Sequence, residues 1–112
     1  MMIYKILTQE QWDELQAKGA SAGAPVDVAD GYIHFSTASQ VAETADKHFS
    51  GQSGLLLAQM DSSRMGPELK WEPSRGGADF PHYYGLLQLD HVIWCKPMPL
   101  GADGHILPGG ML

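Results

Sequence analysis

The chain holds a single cysteine, Cys95, among 112 residues, which excludes an intrachain disulfide. Cations are also scarce. Seven Lys and Arg stand against thirteen Asp and Glu, for a formal charge of −6. The few cations are scattered, whereas a grip on phosphates along a nucleic acid needs them clustered, so long nucleic acid is not an expected partner. No stretch reaches the roughly 18 apolar residues that cross a bilayer, so no membrane association is expected. The opening "MMIYKILTQEQW" lacks the basic region, apolar run and small-residue cleavage site of a signal peptide. These absences favour a reducing cytoplasm. Standard catalytic signatures are missing too. There is no Gly-rich loop running into Lys-Ser/Thr, no GxGxxG, no HExxH, no cysteine pair at metal spacing and no nucleophile elbow. No metal is expected from local spacing, and His34, Glu72 and His82 could meet at one only through tertiary proximity. Cys95 lies in the strand-like "HVIWCKP" and reads as a buried, inert thiol.

What the chain does have is enough apolar material for a core. Hydrophobic residues make up 44%, and the length suits one domain. The core is expected over about residues 1–98, with a loose tail at 99–112. Residues 2–7 are short, apolar and partly aromatic, as a strand is. In "TQEQWDELQAKG", Thr8 and Gln11 have capping-box spacing, Trp12 and Leu15 form an apolar stripe, and Gly19 closes the helix. Residues 20–30 are small and turn-rich, a loop. "GYIHFS" is a strand, and a second helix is expected from Thr37 to Gly51, with Val41, Ala45 and Phe49 on one face. "GLLLAQMD" reads as a strand covered on both faces. "ELKWEP" alternates as a further strand, residues 74–85 read as a glycine-rich loop, and residues 90–97 form the last strand. Two early helices followed by strands give an α+β fold.

Three segments could carry chemistry. On a strand, Ile33 and Phe35 share one face while Tyr32, His34 and Ser36 share the other. The second face either decorates a half-exposed strand or lines a cleft. Ser36 and Thr37, with the first free N–H groups of a helix, could hold an anion, although a helix cap explains Thr37 equally well. In "LKWEPSRGG", Glu72 could act as a general base or bind a ribose hydroxyl. Arg75 could grip a phosphate or carboxylate with both arms of its guanidinium, or the two could form a local ion pair that orders the loop. In "FPHYYG", His82 could stack on or hydrogen-bond a ligand ring. Tyr83 and Tyr84 could plug the sheet end, and Tyr84 is also a candidate ligand contact.

Together, "IYKILT" with the following Trp, "DGYIHFSTASQVAETADKHF", "LKWEPSRGG" and "FPHYYG" resemble a bacterial family, domain-of-unknown-function family 952. The resemblance extends to about Pro97. That family is regarded as similar in fold to the ADP-ribosyltransferase superfamily. The resemblance implies a split, mainly antiparallel sheet and chemistry on NAD, ADP-ribose or a phosphorylated nucleotide. In that setting Glu72 would stabilise the ribose cation, with Asp79 as a second candidate, Arg75 would hold pyrophosphate and His34 would orient a ribose hydroxyl or a phosphate. Where members of the superfamily carry a first-strand His, this chain has Tyr4 and Lys5. The alternative is a non-catalytic small-molecule or nucleotide-binding module that keeps the fold without the full catalytic set.

Overall fold

A computed structural model describes residues 1–111, with the Arg75 side chain outside the described part. The chain runs β1 (Met2–Thr8), α1 (Gln9–Lys18), β2 (Ala20–Ser21), α2 (Pro25–Asp30), β3 (Ile33–His34), β4 (Ser36–Thr37) and α3 (Val41–His48). It continues through β5 (Leu55–Asp61), β6 (Leu69–Pro73), β7 (Asp79–Tyr83), β8 (Leu87–Gln88), β9 (Val92–Met98), β10 (Leu100–Gly101) and β11 (Gly104–His105). The fold is α+β, with mainly antiparallel sheets and three α-helices among the described residues.

Strand β1 organises the larger sheet, whose order is β4-β1-β5-β9. It pairs with β5 along its whole length, from Met2 opposite Asp61 to Thr8 opposite Leu55. Its alternating side chains enter two different clusters. Ile3 and Leu7 join Leu15, Ile33, Phe35 and Met60 on one side, while Tyr4 and Ile6 join Val41, Ala45, Leu57 and Met98 on the other. A strand covered on both faces favours apolar residues at every position, which explains residues 55–58 and Met60 in β5; the buried polar residue between them, Gln59, donates to the Tyr4 hydroxyl at 3.0 Å. One residue breaks that rule in β1: Lys5 is buried between Ile3 and Leu7.

The smaller sheet has the order β3-β7-β6. The two sheets share one short stretch of chain. Ile33 and His34 pair with Tyr83 and His82 of β7, whereas Ser36 and Thr37 pair with Tyr4 and Ile3 of β1. Phe35 lies between, its N–H donating to the Pro81 carbonyl at 3.0 Å. Pro81 has no N–H to give back, so the ladder with β7 ends there and the chain is free to cross to β1. The expected single strand over residues 31–36 is therefore two strands in two sheets.

Other expectations also need correction. The loop expected at residues 20–30 contains α2, with Pro25 in its first turn and Gly31 closing it at φ 84°. The chain thus has a third helix where two were expected. The helix expected from Thr37 begins at Val41, because the ladder with β1 holds Thr37 in β4. The loop expected at 74–85 contains β7, the central strand of its sheet. Strand β9 begins at Val92, two residues later than expected, after a 3-10 turn over Leu89–His91. The expected loose tail is anchored: Leu107 and Met111 pack on the second cluster, and the Gly109 carbonyl accepts from Lys96 Nζ at 3.0 Å.

Candidate functional site

Lys5 and Asp27 form a buried ion pair. Lys5 Nζ lies 2.9 Å from Asp27 Oδ2, and both side chains are almost fully enclosed. A charge placed there needs a partner, since burial penalises a lone ion by several kcal/mol. Asp27 has four further anchors. Its Oδ1 accepts from Lys5 Nζ at 3.2 Å, from the His34 backbone N–H at 3.0 Å and from His34 Nδ1 at 2.6 Å. Its Oδ2 accepts from the Ala24 N–H at 2.7 Å. Burial alone would raise this carboxyl, but the bonds from His34 and the charge and bond of Lys5 outweigh it and hold it at about 2. On Lys5 the balance falls the other way: burial lowers the ammonium against the pull of Asp27.

His34 continues the chain of contacts. Its Nε2 donates to Asp30 Oδ2 at 2.9 Å. With both ring nitrogens against carboxylates, the two bonds form together only when the ring carries both protons. Strand pairing then sets His82 directly opposite His34, with the ring centroids 5.7 Å apart. His82 has its own carboxylate: its Nδ1 donates to Glu72 Oε1 at 2.8 Å. The same oxygen accepts from the Tyr84 hydroxyl at 2.7 Å. The bonds from Tyr84 and then His82 keep the Glu72 carboxyl below the usual carboxylate range, and the bond to Glu72 pushes the Tyr84 phenol up to about 12. Tyr32 fills the corner between the two histidines. Its ring stacks on His82 at 4.2 Å and meets His34 at 4.6 Å.

These histidines wall a cleft of about 600 Å³, bounded by β1, the start of α2, the β3–β4 crossing, α3 and β7. That volume accommodates a drug-sized or nucleotide-sized molecule. Lys5, Asp30, Tyr32, His34, Ser36 and His82 all contribute to its lining. Among the described lining residues Asp30 is the one carboxylate.

The sequence-derived candidates distribute unevenly around this cleft. His34, Ser36 and His82 converge on it. Ser36 is buried, and its hydroxyl pairs with Thr44 Oγ1 at 3.0 Å. Thr37 does not line the cleft. Its hydroxyl meets Ser39 at 3.2 Å, and its N–H donates to Gln40 Oε1 at 3.0 Å. Glu72 and Tyr84 stand behind His82 rather than in the lining. Arg75 lies outside the described side chains, so its expected phosphate contact has no geometry here. Asp79, the second candidate carboxylate, is exposed at the start of β7. Sequence reasoning missed Lys5 and Asp27. Two signals pointed to them. A lysine inside an apolar strand requires a buried partner, and Pro25 with Gly31 marks a short helix start and stop. Cys95, expected to be buried, is half-buried, and that burial pushes its thiol up to about 11. No group of three or more His, Cys, Asp or Glu positioned to hold a metal occurs among the described residues. No helix among them is long and apolar enough to cross a membrane.

Fold and site together define a small α+β protein with a histidine-walled cleft where two antiparallel sheets exchange a strand. The chain belongs to the family described as "Protein of unknown function (DUF952)", whose model matches residues 6–95. It is similar to protein CC0527 from Caulobacter crescentus. The crystal structure of that protein shares 45% identity and a TM-score of 0.91, over 96% of this chain and 94% of that one. Its solution NMR structure shares 46% identity and a TM-score of 0.83, over 94% and 90%. No curated protein matches the chain.

Proposed function

We propose that the cleft binds a phosphorylated nucleotide, ADP-ribose or NAD, and that His82 exchanges a proton with it. The observation that carries this reading is the direct pairing of His34 with His82 on the wall of a cleft of about 600 Å³, each ring held by its own carboxylate. A carboxylate bonded to Nδ1 fixes the tautomer and orientation of an imidazole and leaves Nε2 as the proton-exchanging nitrogen. Glu72 thus acts on the ligand through His82, as a positioning residue. Tyr32 offers an aromatic face for a base or nicotinamide ring. The resemblance to the ADP-ribosyltransferase superfamily makes NAD and ADP-ribose the first ligands to test.

The alternative is a binding module without turnover. It is favoured by the engagement of Glu72 with His82 and Tyr84, which leaves Asp30 as the lining carboxylate. A thermal-shift titration tests the binding that both readings share. A ligand at 100 times its dissociation constant adds about 2.7 kcal/mol of stability. A nicotinamide-release assay then separates them. If the protein is an enzyme, Glu72→Gln and His82→Ala keep the fold and lose turnover. If it is a binding module, the unaltered protein releases no nicotinamide while still binding.

A further inference from the structure

The contacts of His34 are unequal, and the inequality points to a place for one ligand group. Nδ1 is fixed to Asp27, and Asp27 is itself anchored by Lys5, by the Ala24 N–H and by the His34 N–H. The Lys5 ammonium also cancels the Asp27 charge. The ring is therefore held in place through Nδ1, and Nε2 is the nitrogen left to meet a further group. The group meeting it there, Asp30, is the last residue of α2, and its side chain is 45% exposed against 0% for Asp27. Nε2 is thus answered by a half-solvated carboxylate that lines the cleft, at 2.9 Å.

We propose that Nε2 of His34 is the phosphate subsite of the cleft, and that Asp30 occupies it when no ligand is bound. This rests on the reading of the cleft given above and names the group recognised there. In the exchange a phosphate oxygen replaces a carboxylate oxygen on the same N–H, and the displaced carboxylate, already half-exposed, turns to water, where an ion is readily solvated. His82, paired directly across from His34, lies beside the same position. An occupied subsite lowers apparent affinity by the fraction of molecules in which it is free.

The test compares unaltered protein, Asp30→Asn and His34→Gln by calorimetric titration with ADP-ribose, inorganic pyrophosphate and uncharged adenosine. Circular dichroism and thermal melts verify that each variant is folded. Asp30→Asn is expected to bind ADP-ribose and pyrophosphate about tenfold more tightly, as it would if Asp30 held the subsite nine-tenths of the time. Its affinity for adenosine should not change. His34→Gln should lose the advantage of ADP-ribose over adenosine. Unchanged or weaker ADP-ribose binding by a folded Asp30→Asn, with binding intact in the unaltered protein, overturns the subsite and leaves the cleft reading standing. No binding of any probe to the unaltered protein or to Asp30→Asn overturns both.

Discussion

Lys5 and Asp27 carry opposite charges into an interior where neither would be tolerated alone. Removing one member leaves the other stranded, which typically costs about 3–5 kcal/mol, whereas replacing both with apolar residues is often close to neutral. Lys5→Met and Asp27→Leu singly are therefore expected to be strongly destabilising, and the double variant to recover most of the loss, as read by urea denaturation. Asp27 also gives an acid limb to stability. Its carboxyl is held at about 2, below the ordinary aspartate range, so the native state binds this proton more weakly than the unfolded chain. The contribution is full above about pH 4 and is lost as pH falls toward 2, and it amounts to about 2 kcal/mol. Denaturation midpoints between pH 5 and pH 2 measure it, and Asp27→Asn should lack this limb. Cys95 gives a separate check. With partial burial raising the thiol to about 11, the folded protein should react with a disulfide reagent at pH 8 more slowly than the unfolded chain. At this scale, strand alternation set His34 on the face opposite Ile33 and Phe35, but left open whether that face lined a cleft or decorated the surface. The Lys5–Asp27 pair was missed because, although Lys5 in an apolar strand calls for a buried partner, nothing local says that the partner is twenty-two residues away.

Elements were legible where their signals are local. Helix α1 forms as its sequence predicts: Gln11 N–H donates to Thr8 Oγ1 at 3.1 Å, the Thr8 N–H donates to Gln11 Oε1 at 3.0 Å, and Gly19 closes the helix at φ 77°. Thr8→Ala should cost about 1 kcal/mol. Elements defined by distant partners were not legible. Strand β7 contains Pro81 and follows two glycines, which reads as a loop, yet its free carbonyl at Pro81 meets Phe35 forty-six residues earlier in the chain. Helix α2 was masked by small residues, although it places both Asp27 and Asp30. Its closing residue, Gly31, has φ 84° with open space around a would-be Cβ. Gly31→Ala should therefore cost only the left-handed backbone penalty of about 1–2 kcal/mol. A chemical-denaturation series on Thr8→Ala and Gly31→Ala measures both. If Gly31→Ala also weakens ADP-ribose binding, α2 holds the cleft as well as the fold.

Over the whole molecule, the cleft exists because one stretch of chain changes sheets. The larger sheet supplies Tyr4, Lys5 and Ser36 to its wall, the smaller sheet supplies His34 and His82, and α2 supplies Asp30. The α+β class was readable from the element order and the antiparallel pairing only through the family resemblance, whereas the exchange at Phe35 required knowing which strands are neighbours. The most direct test is a histidine side-chain NMR titration of the protein with ADP-ribose, following the imidazole nitrogens of all five histidines. If the cleft binds the ligand as proposed, the resonances of His34 and His82 move together and saturate, while those of His91 and His105, which do not line the cleft, stay in place. Resonances of His34 and His82 that do not move at millimolar ligand, or shifts confined to His91 and His105, would contradict it.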